Sequence, residues 1–187
     1  MSIGTGPAGV RAFIGRAGEF IKRGNSMTID APLLSRIMEI EKDWIDYNGH
    51  LNMAYYNVLF DRCSDEAFEL MGMGPDYASA RRLTIYTAEV HVCYVRELHL
   101  GDRVRVSFNL IDHDDKRLRA YQEIHHLDGW LAATSETLSL HIDMAGPRVV
   151  AFPDDIRQRV EAVRAAHRAL PMPERAGRSI AIRRKSN

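Results

Sequence analysis

One long helical stripe followed by four alternating segments is the pattern that most constrains how this chain can fold. The stripe recurs at intervals of three and four residues and consists of Tyr56, Leu59, Phe60, Cys63, Ala67, Leu70 and Met71. This spacing predicts a long amphipathic helix. Gly72, Gly74 and Pro75 predict where that helix ends.

The segments after the helix change to a period of two, which is typical of strands with one buried face. They lie within residues 83–95, 104–110, 118–124 and 130–143. Asp128-Gly129, before the last segment, is a strong hairpin signal. In the first segment the alternation predicts two faces, one with Tyr86, Ala88, Val90, Val92 and Tyr94, the other with Thr87, Glu89, His91 and Cys93.

Two shorter elements flank this pattern. Residues 33–41 suit a first strand, and Pro153, followed by two acids, predicts a terminal helix to about residue 169. A sheet with one apolar face must be covered, and the central helix is the element long enough to cover it. We therefore expect an α+β fold in which an antiparallel five-stranded sheet wraps around one long central helix, with a short C-terminal helix.

Composition and charge divide the chain into three parts. The 187 residues are 45% hydrophobic, which suits one domain with its own core. The net charge of zero splits into +3 for residues 1–26, +4 for residues 171–187 and therefore −7 between them. We expect a basic, Gly-rich leader at 1–26, a folded domain at 27–170 and a basic tail at 171–187. Whether the leader is a transit peptide, or precedes a natural start at Met27, stays open.

The same features limit the partners and the location. An acidic domain argues against nucleic acid, whose phosphates need a basic face. No run reaches the roughly 18 apolar residues of a membrane span, so no membrane partner is expected. The chain has 2 cysteines, Cys63 and Cys93, which fits a reduced, cytoplasmic setting better than a disulfide framework.

The loop before the central helix carries the chemistry that this sequence suggests. Asp46 comes shortly before Gly49, His50 and Asn52, where the helix begins. A helix N-terminus offers unpaired N–H groups and a partial positive charge, which would stabilise an oxyanion. Gly49 gives a ligand room to approach the backbone. Spacing alone favours a structural role, in which Asp46 or Asn48 merely caps the helix, because capping by Asp and Asn is common.

The run from Asp46 to Tyr56, DYNGHLNMAYY, resembles the D-x-x-G-H-x-N-N-x-x-Y signature of hotdog-fold acyl-CoA thioesterases of the 4-hydroxybenzoyl-CoA thioesterase type. The likeness extends through residues 94–102, 128–129 and 148–153, and so spans roughly residues 33–156. The wording of residues 43–50, with 88–91 later, is most similar to the betainyl-CoA thioesterase branch of that family.

The resemblance implies a role for each matching residue. Asp46 would be the catalytic carboxylate, acting as nucleophile or general base, and the backbone N–H of Met53 would bind the thioester carbonyl. Tyr56 matches the helix tyrosine, and His50 and Asn52 match the polar positions of the signature. Met53 stands where the signature has a second Asn, so a backbone donor is retained and a side-chain hydrogen bond is lost.

Further candidates for substrate binding lie outside the signature. Gly49 and Tyr56 would border the substrate, and Glu89 and His91 would shape the site across a dimer interface, unless they are solvent-facing. Lys116 and Arg117 would hold the phosphates of coenzyme A, unless they form an ordinary charged turn. His91 and Cys93 supply only half of a metal site, and no metal is expected.

These observations lead to an expected enzyme that hydrolyses an acyl-CoA thioester to a free acid and CoA. No metal or organic cofactor is needed beyond the coenzyme A of the substrate, because the thiolate is already a good leaving group. The resemblance also implies a homodimer or homotetramer with the active site at the subunit interface. A non-catalytic acyl-CoA-binding domain and a hotdog enoyl-CoA hydratase or dehydratase remain the alternatives.

Overall fold

The computed structural model describes residues 29–182. The predicted leader at residues 1–26 therefore lies entirely outside the described residues. The strands are β1 (Leu33–Leu34), β2 (Met38–Glu39), β3 (Leu83–Tyr94), β4 (Arg103–His113), β5 (Arg117–His126), β6 (Leu131–Asp143) and β7 (Arg148–Val149). The helices are α1 (Met53–Leu70), α2 (Pro75–Arg81) and α3 (Asp154–His167).

The strands form one antiparallel sheet in the order β1-β4-β5-β6-β3. β2 pairs with the same edge of β4 as β1, and the short β7 pairs with β6. The predicted first strand at 33–41 is therefore present but broken into two pieces at residues 35–37. Ser35 N–H still donates to Val106 O, but the Ser35 hydroxyl, in place of its backbone carbonyl, accepts from Val106 N–H. The predicted five-stranded path is confirmed.

The predicted central helix is α1, and its apolar stripe lies in the core. Its fully buried members are Tyr56, Leu59, Phe60, Cys63 and Ala67, which pack with inward side chains of the sheet and of α3. Burial raises the pKa of the Cys63 thiol to about 12, so this thiol stays protonated and serves only the core. The C-terminal helix is confirmed as α3, and Ile156, Val160 and Val163 bury its apolar face.

A second helix, α2, is absent from the sequence prediction. Gly72 and Gly74 do end α1, but Pro75 then occupies the first turn of a new helix, where its missing N–H costs nothing. Bidentate hydrogen bonds from Arg81 to Asp155, at 2.9 and 2.7 Å, join α2 to α3. The run Gly72, Gly74 and Pro75 therefore ends α1, as predicted, and also begins α2, which the sequence analysis does not predict.

The predicted division of β3 into two faces is wrong for its first half. The register with β6 shifts between Thr87 and Glu89, so Ala88 is an unpaired bulge residue and the alternation changes side there. Val90 faces α1 as predicted, but Thr87 also lines the α1 side. Tyr86 consequently belongs with the outer face rather than with Val90.

The outer face of the sheet, opposite α1, carries part of the predicted basic tail. Gly177 N–H donates to Glu136 Oε2 at 2.6 Å, and Glu136 in turn accepts from Arg119 Nε at 2.7 Å. Residues 177–180 continue across the sheet beside Glu89 and His91 of β3. Within residues 29–182, no helix has both the length and the hydropathy to cross a lipid bilayer.

Candidate active site

The loop between the short 3₁₀ turn at Lys42–Trp44 and α1 folds back on itself. Ile45 and Leu51 form an isolated antiparallel bridge that closes its base. Inside it, Gly49 N–H donates to Asp46 O at 3.0 Å, and Asp46 N–H donates to His50 O at 3.1 Å. Gly49 has φ +84°, a left-handed conformation that glycine adopts without strain. The tight turn thus places Asp46 and His50 side by side at the start of the helix.

One oxygen of the Asp46 carboxylate holds the turn, and the other is available. Oδ1 accepts a hydrogen bond from Asn48 N–H at 2.7 Å, which forms an Asx turn. Within the described residues, Oδ2 has no hydrogen-bond donor. The side chain is half-buried. The carboxylate is therefore fixed in direction while keeping a free oxygen for a ligand.

Asn52, rather than Asp46 or Asn48, caps α1. Its Oδ1 accepts from Ala54 N–H at 3.0 Å, and its backbone carbonyl accepts from Tyr55 N–H at 3.0 Å. Met53 N–H comes directly before these two donors and has no acceptor among residues 29–182. It is one of the unpaired donors that every helix start leaves, at the positive end of the helix dipole. The cap role of Asn52 leaves Asp46 free for another task.

Asp46 and the start of α1 border one crevice of about 560 Å³. Its lining residues are Asp46, His50, Leu51, Met53, Tyr56, Tyr94, Val95, Arg96 and Glu97. The structure therefore brings together Asp46, His50, Met53 and Tyr56 of the predicted set. Asn52 and Gly49 do not line the crevice: Asn52 caps α1, and Gly49 lies in the turn before it.

Two tyrosines form the inner wall of the crevice. Tyr56 and Tyr94 meet edge to face with ring centroids 5.1 Å apart, and the Tyr94 hydroxyl donates to Met53 O at 3.2 Å. Burial raises the pKa of both phenols, so both hydroxyls are protonated at neutral pH. Tyr94 was missed as a site residue because only the pairing of β3 with β6 brings it to the helix start.

The rim of the crevice carries a stacked group that the sequence did not indicate. The guanidinium carbon of Arg96 lies 4.1 Å above the centre of the Trp130 ring, and Trp130 stacks on His126 at 4.7 Å. Such a cation–π contact holds the arginine against the surface. The only feature of the sequence that could have indicated Arg96 as a residue of the crevice is that it follows Tyr94 by two residues.

The remaining predicted binding residues lie elsewhere on the protomer. Glu89 and His91 line a cavity on the outer face, with Arg119 and residues 177–180. Lys116 lies in the turn between β4 and β5, Arg117 is the first residue of β5, and Arg117 Nε donates to Asp114 Oδ2 at 2.6 Å. Lys116 O accepts from His141 N–H, and His141 pairs with Ile85, about 30 Å along β3 from Tyr94. One chain alone does not bring these four residues to Asp46.

Solved structures with the same fold include thioesterases and a protein that binds CoA. A hypothetical protein of Staphylococcus aureus, solved in complex with CoA, is 27% identical with a TM-score of 0.76, over 83% of this chain and 99% of that one. A putative thioesterase of Pseudomonas putida is 26% identical with a TM-score of 0.71, over the same shares of the two chains. A DHNA-CoA thioesterase of Staphylococcus aureus, 16% identical with a TM-score of 0.68 over 75% of this chain and 97% of that one, shares the fold alone. The fold is thus the hotdog fold.

The sequence comparisons define the family. The profile of the thioesterase-like superfamily matches residues 40–160, which is more than half of the chain. A betainyl-CoA thioesterase of Pseudomonas aeruginosa is 38% identical over 145 residues, covering 75% of this chain and 89% of that protein. An L-carnitine dehydrogenase/betainyl-CoA thioesterase of Agrobacterium fabrum is 32% identical over 167 residues, 89% of this chain but only 34% of that protein. This chain belongs to the thioesterase-like superfamily, and it is a thioester hydrolase.

Proposed function

We propose that this enzyme hydrolyses an acyl-CoA thioester to the free acid and CoA, and that betainyl-CoA is its substrate. The observation that carries the proposal is the juxtaposition in one crevice of a free carboxylate oxygen, on Asp46, and an unpaired helix-start donor, Met53 N–H. The choice of acyl group is supported by the Pseudomonas aeruginosa relative, which matches over most of both chains.

The chemistry follows from where charge develops. The thioester carbonyl oxygen accepts from Met53 N–H, and the dipole of α1 stabilises the negative charge that forms on that oxygen. Asp46 Oδ2 either attacks the carbonyl carbon, giving a mixed anhydride that water then hydrolyses, or takes a proton from a water that attacks directly. In both routes the C–S bond breaks and CoA leaves as a thiolate. In the anhydride route the thiolate takes up a proton that is released when water hydrolyses the anhydride, and in the direct route it takes up the proton that Asp46 removed from the water. His50 lines the crevice beside the reacting groups as a further polar contact.

A second subunit completes the proposed site. β3 is the edge strand of the sheet, it is 12 residues long, and residues 86–90 are all exposed. A long unprotected edge is a template for pairing with another strand. We propose that two copies pair along β3 as a homodimer, with the homotetramer as a further assembly, and that the partner closes the crevice from the β3 side.

We also propose that the enzyme is located in the cytoplasm. Cys63 and Cys93 are both free thiols, which suits the reducing cytoplasm. The proposed reaction uses no metal or organic cofactor, because the carboxylate, the backbone donor and the thiolate leaving group supply each step.

A thiol-release assay with a panel of CoA thioesters tests the proposal. The panel contains betainyl, acetyl, branched and aromatic acyl groups, and we expect betainyl-CoA to have the highest kcat/KM. Thermal stabilisation by these ligands without thiol release would instead favour a binding domain. Addition of water to an enoyl-CoA, with no release of thiol from any member of the panel, would favour a hydratase.

A further inference from the structure

The chain segment after α3 lies on the outer face of the sheet and reaches the edge strand, β3. We call residues 177–182 the tail strap. Gly177 N–H donates to Glu136 Oε2 on β6 at 2.6 Å, and the adjoining residues 178–180 share a cavity of about 560 Å³ with Glu89 of β3. The strap is therefore anchored on an inner strand of the sheet and runs from there to the edge along which the proposed dimer pairs.

The tail strap carries two apolar side chains that no residue within 29–182 covers. Ile180 is 93% exposed and Ile182 is 88% exposed, and Ile180 also lines the cavity beside β3. Scattered apolar residues on a surface are ordinary, but these two lie on an anchored segment next to an unpaired sheet edge. Because covering apolar surface drives most protein association, the two isoleucines indicate a surface that association covers.

The exposed stretch of β3 determines where a second copy lies. Residues 86–90 are exposed, and two identical edges related by a two-fold axis pair in antiparallel fashion about the middle of this stretch, residue 88. In that register residue 90 lies opposite the partner's Tyr86. Because the tail strap lies beside residues 89–91, it also lies beside the partner's Tyr86.

The charges at this axis are complementary between subunits. Neither Glu89 nor Arg178 has an ion-pair partner among the described residues, although both line the same cavity. An axis at residue 88 brings the Cα atoms of the two Glu89 residues within roughly 8 Å of each other, where like charges repel. Arg178 of each strap supplies the compensating charge, and three basic residues follow it at 183–185.

We infer that the tail strap is a clasp between subunits and that it binds a second copy of this chain. The inference rests on the proposed dimer and adds a contact to it: the β3 edges pair through their backbones, and the two straps close over that seam on the outer face. Ile180 and Ile182 pack against the partner's Tyr86, and Arg178 pairs with the partner's Glu89. Each contact occurs twice, as two-fold symmetry requires.

Replacing both isoleucines tests the apolar part of the clasp. The double variant Ile180→Asp/Ile182→Asp keeps the anchor at Gly177, and we expect it to raise the dimer dissociation constant on the order of tenfold or more. Sedimentation equilibrium measures this constant, and faster subunit exchange between two fluorescently labelled pools reports the same weakening in a very tight dimer. Met172→Asp is the matched control and should change neither quantity, because Met172 is 66% exposed on the part of the tail that precedes Gly177.

Mixing two charge variants tests the ion pairs between subunits. In its homodimer Arg178→Glu places two carboxylates at each contact, and Glu89→Arg places two guanidinium groups there. A dimer with one subunit of each kind has opposite charges at both contacts, so we expect mixed dimers to exceed the one half that random assortment gives. Native mass spectrometry of an equimolar mixture measures this fraction. An ion pair formed inside each subunit would give no such preference.

The outcomes separate the clasp from the proposed function. A parent enzyme that is monomeric at every concentration contradicts the proposed dimer, whether or not it hydrolyses thioesters. A dimeric parent whose dissociation constant and exchange rate are unchanged by the isoleucine double variant overturns the clasp, while β3 pairing and thioester hydrolysis stand. Random assortment of the charge variants overturns the pairing of Arg178 with the partner's Glu89.

Discussion

Asn52 caps α1 and so leaves Asp46 free for the role that is proposed for it. Its side chain satisfies Ala54 N–H, so the helix start is stable without any contribution from Asp46. Asn52→Ala should lower the free energy of unfolding by about 1 kcal/mol, the usual cost of losing such a cap. Urea denaturation of the two proteins, with fluorescence as the readout, measures this difference.

Asn52→Asp is the matched control for the cap. Its carboxylate can accept the same hydrogen bond, so the parental stability should be retained. An Asn52→Ala protein as stable as the parent would mean that the cap contributes nothing and that Asp46 is not released by it.

At this scale the sequence predicted those site residues that are close together along the chain. Asp46, His50, Met53 and Tyr56 fall within one turn and the first helical turn, where spacing determines proximity. Tyr94 reaches them only through the β3–β6 register, which no local pattern reveals. The catalytic roles assigned to these residues stay predictions, as does any contact of Glu89, His91, Lys116 or Arg117 with substrate.

At the scale of elements, His167 anchors the end of α3 to the edge of the sheet. Its Nδ1 accepts from Leu110 N–H at 3.0 Å, and its Nε2 therefore carries the proton that bonds to Asp30 O at 3.0 Å. The ring must be neutral to make both bonds. Burial, helped by Arg164, lowers the pKa of His167 from its usual value near 6.5.

The sign of the resulting pH dependence follows from linkage. Below about pH 6.5 His167 binds a proton in the unfolded chain but not in the folded chain, because its pKa is lower in the folded state. The free energy of unfolding therefore falls as the pH drops through this value. Urea unfolding should be measured at pH 7.5 and at pH 5.5, on the order of one unit to either side of the ordinary histidine pKa. The free energy of unfolding should be lower at pH 5.5.

His167→Asn is the variant that isolates this anchor. Its amide oxygen can accept from Leu110 N–H but cannot be protonated, so the loss of stability between the two pH values should be smaller than in the parent. A residual loss is expected from His141, whose pKa is also lowered by burial. An identical loss in both proteins would contradict the role of His167.

The elements themselves were predictable wherever a single period persists. The sequence of α1 and of each of the four long strands shows one period over most of its length, and all five elements are present. The bulge at Ala88 was not predictable, because one extra residue reverses the alternation without leaving a compositional signal. α2 was missed because Pro75 serves equally as the end of one helix and the start of the next.

At the scale of the whole molecule, the exposed edge of β3 predicts self-association. Tyr86 begins the exposed stretch at residues 86–90 and is 51% exposed. Light scattering should give twice the chain mass of 21.2 kDa, or a multiple of that dimer. Tyr86→Glu should shift the protein toward the monomer, because it places a charge in the edge that the partner strand is proposed to cover.

Val149→Glu serves as the matched control, since Val149 is an exposed apolar residue on the short β7, away from that edge. It should leave the mass unchanged. Activity should fall together with the dimer in Tyr86→Glu, because the partner is proposed to close the crevice. A fully active monomer would contradict a shared site.

The proposed mechanism depends on one carboxylate oxygen, on Asp46, beside one unpaired backbone donor, Met53 N–H, and Asp46→Asn tests that pair most directly. The asparagine keeps the Asx turn through its own Oδ1 and removes only the charge and the basic oxygen. Asp43→Asn, an exposed change in the adjacent 3₁₀ turn, is the control. With betainyl-CoA and the rest of the thioester panel, thiol release by Asp46→Asn should fall on the order of 10²-fold or more, at unchanged Tm, while the control keeps the parental rate. An Asp46→Asn enzyme that releases thiol at the parental rate would contradict the proposed mechanism.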